Sequence, residues 1–77
     1  MVSKYMGSSK VLIRNPENGR KAWFGLPLYF GQLTRIGLQG SYEEQIEVVE
    51  YQGSAFIGFG YFTVEDLEQL NRQVEDY

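Results

Sequence analysis

The sequence has neither cysteine nor histidine, and each absence excludes a kind of chemistry. Without cysteine the chain has no disulfide and no thiolate ligand for a metal. Without histidine it lacks the usual general base at neutral pH and the commonest metal ligand. The carboxylates lie in amphipathic segments rather than beside apolar pocket residues, and no glycine-rich phosphate loop is present. We therefore expect a protein that is not an enzyme, with no catalytic residues, no cofactor and no metal.

Long hydrophobic runs are also missing. No apolar stretch comes near the roughly 20 residues of a membrane-spanning helix, so we expect no membrane partner. The N-terminal segment has Lys4 and Lys10 but no apolar core between them, unlike a secretory signal peptide. Residues 1–9 are small and polar in character, which indicates a flexible N-terminal tail. We expect a cytoplasmic protein in which residues 10–77 form a single domain.

Aromatic residues, by contrast, are abundant. The 77 residues include one Trp, six Tyr and five Phe. A chain of this length buries only about 60% of the surface that it exposes when unfolded, so its core is small. Aromatic side chains either fill such a core or contribute to an interface, and we expect both uses here. Formation of a homodimer would bury the aromatic side chains that the small core does not accommodate.

Charge is sorted along the chain. Residues 1–37 contain six Lys or Arg and one acidic residue, whereas residues 38–77 contain nine acidic residues and one Arg. The formal net charge of −3 hides this division. An acidic surface attracts basic partners, in particular proteins that normally bind nucleic acid. The alternative is that these carboxylates only keep a helix face and a strand edge in solvent.

The first half of the chain predicts a β-hairpin followed by a short helix. The β-branched run Lys10–Arg14 predicts a strand, and the turn residues at positions 15–19 predict a tight reversal. The return strand of the hairpin is predicted over residues 20–26. The apolar spacing over residues 28–36 predicts a short helix that ends at Gly37.

The next segment predicts a third strand and a loop. Residues 44–51 predict a strand in which Ile46 and Val48 point to one face and Tyr51 points to the other. Both faces are mixed, which indicates that one lies on the core and the other is partly covered. Residues 52–60 contain three glycines and predict a loop or an irregular strand.

The C-terminal segment predicts an amphipathic helix. Thr63 is a strong N-cap, and residues 63–66 resemble a capping box. The apolar residues that recur at helical spacing form the predicted buried stripe: Val64, Leu67, Leu70, Val74 and Tyr77. Taken together, these patterns predict a small α+β domain, with a three-stranded antiparallel sheet, a short helix and a C-terminal amphipathic helix.

Several short segments occur in a recognisable order. They are Asn18-Gly19-Arg20, Trp23-Phe24-Gly25-Leu26-Pro27, Ile36-Gly37-Leu38, Tyr42-Glu43-Glu44 with Ile46 and Glu50-Tyr51, and Thr63 with Leu67, Leu70 and Asn71. At this order and spacing the segments resemble the N-terminal domain of ArdA-type antirestriction proteins. The resemblance covers about residues 11–75 and implies a domain of that family's fold over residues 10–77.

The resemblance implies a function. ArdA proteins are carried by phages and mobile elements, resemble bent duplex DNA, and occupy the DNA-binding groove of Type I restriction-modification enzymes. A member of this family binds a bacterial protein complex and not nucleic acid; a CRISPR effector complex is an alternative target of the same kind. Carboxylates on rigid elements then take the places of phosphates. The candidate partner-binding carboxylates are Glu43, Glu44, Glu47, Glu50, Glu65, Asp66, Glu68, Glu75 and Asp76.

The chain departs from the family in one informative place. Family members carry further acidic domains, and they place acidic residues in the short helix after the proline. Here that helix begins with the apolar residues Leu28, Tyr29 and Phe30. We take Trp23, Tyr29 and Phe30 as candidate interface aromatics, with packing in the core as the alternative.

A second resemblance favours a different class of function. Residues 11–15 are similar to the first-strand signature of the RNA-recognition motif, and residues 58–62 are similar to its central Gly-aromatic-Gly-aromatic strand, whose rings stack on bases. Only fifteen residues follow Phe62, which is enough for a helix but not for the fourth strand of that motif. This alternative is a small module for RNA or single-stranded DNA, which binds through Arg14, Arg20 and Lys21 beside Trp23.

Overall fold

The strands and helices lie within residues 9–75, the part of the chain that the computed structural model describes. In chain order they are β1 (Lys10–Arg14), β2 (Lys21–Gly25), a 3-10 helix (Phe30–Ile36), β3 (Gln45–Gln52), β4 (Gly60–Thr63), a 3-10 turn (Val64–Asp66) and α1 (Leu67–Glu75). This is an α+β arrangement with a C-terminal helix, as the sequence predicts.

The sheet has four antiparallel strands in the order β2-β1-β3-β4, so the prediction of three strands is wrong by one. The additional strand, β4, pairs with β3 through Ile46 opposite Phe62 and Val48 opposite Gly60. It has only four residues and lies at the edge of the sheet. The sequence conceals it because Gly58 and Gly60, with φ angles of 128° and 101°, interrupt the apolar alternation of a strand.

One face of the sheet is buried against the helices. The apolar core consists of Val11, Ile13, Phe24, Leu28, Leu33, Ile36, Leu38, Ile46, Val48, Ala55, Val64, Leu67 and Leu70. Alternate residues of the strands point into it, as expected for a sheet covered on one side. The predicted helical stripe is confirmed, since Val64, Leu67 and Leu70 are fully buried and Val74 packs against them. Tyr77 lies outside the described residues.

A β-bulge in β3 changes the face on which its last residues lie. The register with β1 shifts between Leu12 and Ile13, so that Val49 and Glu50 together lie opposite Leu12. Strict alternation predicts that Tyr51 points away from the core. Beyond the bulge, however, Tyr51 packs against the core. The bulge therefore accounts for the one strand residue whose predicted face is wrong.

The turn of the β1–β2 hairpin holds the end of the 3-10 helix. Asn15 is buried, and its Nδ2 donates a hydrogen bond to the carbonyl of Ile36 at 2.9 Å. Nδ2 of Asn18 donates to the same carbonyl at 3.2 Å. Gly37 ends the helix with a φ of 90°, and a Cβ there would lie 2.6 Å from Asn18 Nδ2. The positive φ thus favours glycine at this position, and a Cβ would also displace the Asn18 side chain.

The described fold includes one residue before the predicted domain boundary at residue 10. Ser9 is only 2% exposed. The N–H of Leu26 donates to the Ser9 carbonyl at 2.9 Å, and the N–H of Ala55 donates to Ser9 Oγ at 3.4 Å. Ser9 therefore belongs to the fold and not to the predicted tail. The rest of that tail, residues 1–8, lies outside the described residues.

Candidate functional site

Carboxylates gather where the turn before β3 meets the start of the C-terminal helix. The N–H of Val64 donates to the Glu44 carbonyl at 2.9 Å, and the N–H of Glu65 donates to the Tyr42 carbonyl at 3.1 Å. These two bonds place Glu43 and Glu44 beside the first helical turn, which itself contains Glu65 and Asp66. We call the following group the acidic surface: the carboxylates of Glu43, Glu44, Glu65, Asp66 and Glu68, with the phenol of Tyr42.

Glu44 is held by backbone donors. Its carboxylate accepts hydrogen bonds from the N–H groups of Gln39, Gly40 and Ser41, with Gly40 the shortest at 2.7 Å. Hydrogen bonds to a charged acceptor are stronger than those between neutral groups. Glu44 therefore fixes the loop that carries the acidic surface, and its own charge is fixed there too.

Asp66 is held in the same way at the start of the helix. The Thr63 N–H donates to Asp66 Oδ2 at 3.0 Å, and the Thr63 hydroxyl lies 3.3 Å from the same oxygen. The predicted capping box is thus confirmed. A carboxylate at this position also interacts favourably with the partial positive charge of the helix N-terminus.

Glu43 and Glu65 have no such structural role. Both are exposed, and neither side chain makes an ion pair within residues 9–75. Glu68 pairs with Arg72 at 3.4 Å across one helical turn, a contact worth a few tenths of a kcal/mol on an exposed helix. The acidic surface therefore has a net negative charge, and the carboxylates of Glu43 and Glu65 are available to a partner.

Tyr42 lies among these carboxylates. Its hydroxyl donates a hydrogen bond to Glu68, and this bond is the main cause of a raised phenol pKa. Desolvation and the negative charges of Glu68 and Glu65 raise the pKa further, while Arg72 lowers it. The ring packs edge-on against Phe30, with 6.1 Å between ring centroids. Tyr42 thus links the acidic surface to the 3-10 helix.

A shallow cleft of about 210 Å³ continues the acidic surface along α1. It is lined by Phe30, Glu68, Asn71, Arg72 and Glu75. Residues 68, 72 and 75 are spaced by four and three positions, so they lie on one side of the helix. Glu75 therefore extends the line of carboxylates toward the helix C-terminus.

The three candidate interface aromatics are divided between surfaces. Asn71 binds both backbone groups of Leu28, at 2.6 Å for the N–H and 2.9 Å for the carbonyl, and so fixes the start of this segment. Tyr29 follows and is 75% exposed, whereas Phe30 is half-buried against the core. Trp23 is also half-buried but lies on β2. Of the three, only Phe30 has a described contact with the acidic surface, through the Tyr42 ring.

The remaining candidate carboxylates lie elsewhere. Glu47 is on the sheet face away from the core, where its carboxylate pairs with Arg14 at 2.8 Å. Glu50 is exposed on the same face, opposite Leu12. The structure does not bring either of them to the acidic surface. Asp76 lies outside the described residues.

Basic side chains gather at the other end of the 3-10 helix. Arg20 Nη2 donates to the Arg35 carbonyl at 2.7 Å. The Arg35 guanidinium lies over the Phe24 ring, 4.9 Å from its centroid, in a cation–π contact. Lys21, the next residue after Arg20, is exposed. We call Arg20, Lys21 and Arg35 the basic surface; its two arginines are already engaged by the protein.

Sequence reasoning missed a cluster of three aromatic rings. Tyr51, Phe56 and Phe59 pack together with ring centroids 4.8–5.4 Å apart, although Phe56 and Phe59 remain more than half exposed. The Tyr51 hydroxyl donates to the carbonyl of Gly58, and Gln73 binds both backbone groups of Phe56 at 2.9 and 3.0 Å. The repeated aromatics within the glycine-rich loop were the available signal.

Other kinds of site are not evident in the described chain. Within residues 9–75, no group of acidic side chains is arranged to hold a metal ion. No helix of that part of the chain combines the length and the apolar character needed to cross a bilayer. No protein-family model, curated protein or solved structure matches the chain. The charged surfaces are therefore the features from which a function is inferred.

Proposed function

We propose that this chain is an anti-defence protein of phage or mobile-element origin, which binds and inhibits a bacterial DNA-targeting nuclease complex in the host cytoplasm. The proposed target is a Type I restriction-modification enzyme, which is the target that the resemblance to ArdA-type proteins implies. The observation that carries the proposal is the acidic surface, where backbone hydrogen bonds join two acidic segments that are distant in sequence.

The way in which these carboxylates are held supports the proposal. A DNA-binding channel presents Lys and Arg side chains to phosphates, and binding releases the counterions of those charges. Glu44 and Asp66 are fixed by backbone donors, so they lose little conformational freedom when they meet such cations. Their neighbours Glu43 and Glu65 are exposed and free to make direct ion pairs.

Exposed tyrosines fit the same role. Tyr42, within the acidic surface, is 48% exposed, and Tyr29, which precedes Phe30, is 75% exposed. Tyrosine is enriched in protein interfaces because it contributes apolar area together with a hydroxyl group. A surface with both carboxylates and exposed tyrosines suits a protein partner better than it suits nucleic acid, whose phosphates it repels.

The basic surface is less suited to be the binding site. Arg20 and Arg35 make contacts that hold the 3-10 helix and β2 together, which leaves Lys21 as the freely exposed cation. The same physics of acidic mimicry applies to a CRISPR effector complex, so the choice between the two targets needs a direct comparison.

The test is inhibition of DNA cleavage by a purified Type I restriction-modification enzyme. The double variant Glu43→Lys/Glu65→Lys changes two exposed carboxylates that make no ion pair within residues 9–75. We expect its inhibitory concentration to rise by about 100-fold, since like charges facing each other at an interface cost several kcal/mol. Glu17→Lys is the matched control, because Glu17 is exposed in the hairpin turn.

The other outcomes are informative. Equal inhibition by the double variant and the control would exclude the acidic surface as the binding site. Inhibition of a CRISPR effector alone, lost in the same variant, would keep the surface and change the target. Salt-sensitive binding of the free protein to an oligonucleotide, lost on Lys21→Glu, would instead support the nucleic-acid-binding module.

A further inference from the structure

The face of the sheet that points away from the core carries exposed apolar side chains. Side chains alternate along each strand, so the neighbours of the buried residues lie on this outer face. Among them, Tyr61 is 61% exposed, Val49 is 36% exposed and Trp23 is half-buried. Leu12 lies opposite Trp23 on this face, although it is itself only 9% exposed. An apolar band thus crosses all four strands.

Charge on the outer face is divided between its two halves. β1 and β2 contribute the cations Lys10, Arg14 and Lys21. β3 contributes the carboxylates Glu47 and Glu50. Because β1 lies next to β3, the boundary between positive and negative runs along the strands, through the middle of the sheet. Such a face is complementary to a copy of itself.

We propose that the outer face is the interface of a homodimer, in which two sheets pack face to face. The charges select the symmetry. A two-fold axis parallel to the strands, between β1 and β3, places the cations of each β1 opposite the carboxylates of the partner's β3. An axis across the strands would instead place β1 on β1 and β3 on β3, with like charges facing each other.

A nucleic-acid strand fits this face less well. Trp23 and Tyr61 offer rings for stacking, but Arg14 is already paired with Glu47 at 2.8 Å. Glu50 lies within the same face and would meet the phosphates. Only Lys10 and Lys21 remain as cations without a described ion-pair partner. A second copy neutralises both signs of charge, whereas a nucleic acid neutralises one.

The size of the outer face limits the expected affinity of the dimer. Four strands spaced about 4.8 Å apart and about 17 Å long present a small patch. It lies at the low end of specific protein interfaces, so we expect a reversible dimer with a dissociation constant on the order of micromolar or weaker. The dimer is independent of the proposed inhibitory function, because the acidic surface takes no part in it.

The test is sedimentation velocity of the full chain over two decades of concentration, up to about 1 mM. Glu50→Lys and Lys10→Glu each place like charges across the interface, and we expect each to weaken the dimer at least about tenfold. Both residues are exposed, so neither change should unfold the protein. An equimolar mixture of the two variants restores opposite charges at both symmetric contacts and should dimerise again.

Controls make the outcome decisive. Glu17→Lys has the same charge change as Glu50→Lys but lies in the hairpin turn, and it should dimerise like the wild type. The single Trp, Trp23, should shift its emission to shorter wavelength as the wild type dimerises, since the interface covers the indole. A protein that stays monomeric, a dimer that neither variant weakens, or single variants that the mixture does not rescue would each overturn the proposal. Oligonucleotide binding lost on Lys10→Glu would overturn it in favour of nucleic acid.

Discussion

The acidic and basic surfaces both place charged side chains against backbone groups, but the groups are of opposite kinds. On the acidic surface, the Glu44 carboxylate accepts a hydrogen bond from the Gly40 N–H in the loop before β3. The Asp66 carboxylate accepts one from the Thr63 N–H at the start of the C-terminal helical segment. On the basic surface, the Arg20 guanidinium donates to a carbonyl near the end of the 3-10 helix. Asp66 at the start of a helix and Arg20 at the end of one thus lie where the helix dipole favours their charges.

This difference shows which charges the fold requires. Glu44 and Arg20 make contacts that hold loops or helix ends, so their replacement has a structural cost. Glu43, Glu65 and Lys21 are exposed side chains with no ion pair within residues 9–75, so their replacement should leave the fold intact. Each surface therefore combines side chains that hold it together with others that are available to a partner.

The largest expected effect comes from removing the core side chain that lies under the basic surface. Phe24 is fully buried in the core and supports the Arg35 guanidinium. Phe24→Ala should cost about 3–5 kcal/mol, which is enough to unfold most of a domain this small. Urea unfolding followed by circular dichroism measures it. Trp23→Ala is the neighbouring control and should cost less, because Trp23 is only half-buried; equal losses would place Trp23 in the core as well.

A smaller effect separates the two kinds of carboxylate on the acidic surface. Glu44→Ala removes the acceptor of three backbone N–H groups and should lower the free energy of unfolding by about 1–3 kcal/mol. Glu43→Ala, one residue earlier and exposed, should change it by less than about 0.5 kcal/mol. Denaturant midpoints of the two variants provide the comparison. Similar midpoints would show that Glu44 does not hold the loop.

The smallest effect concerns the pH dependence of Tyr42. Its pKa is raised in the folded state, chiefly by the hydrogen bond to Glu68, so the phenol binds its proton more tightly when folded. The stabilisation is present below the unfolded pKa of about 10 and is lost as pH rises through the folded pKa. Urea midpoints of the wild type and Tyr42→Phe should therefore converge above about pH 10. A constant difference at all pH values would exclude this linkage.

Local patterns predicted most elements of this fold. β-Branched runs, turn residues and helical spacing predicted the hairpin, the short helix, β3 and the C-terminal helix with its Thr63 cap. The misses have identifiable physical causes. β4 was missed because Gly60 begins it, and Tyr51 was assigned to the wrong face because a bulge at Val49 is set by pairing with β1. Pairing between strands is not visible in a local pattern.

The candidate site was predicted less well, and for the same reason. Charge sorting predicted an acidic surface but not which acidic segments pack together. Glu43 and Glu65 are 22 positions apart and come together through backbone bonds between the turn and the helix. Glu47, although near Glu44 in sequence, lies on the outer face of the sheet. Of the two side-chain amides of α1 that hold loops, Asn71 was singled out only within the family resemblance, and Gln73 not at all.

The side-chain amides of Asn71 and Gln73 affect the order in which the parts of this domain fold. Asn71 and Gln73 each bind the backbone of a residue far earlier in the chain, Leu28 and Phe56. During synthesis, both earlier segments leave the ribosome well before their partners do. The hairpin can pair as soon as it emerges, whereas these two loops gain their bonds to α1 only when that helix is made. The helix closest to the C-terminus therefore completes the fold, and a nascent chain stalled before Asn71 lacks both attachments.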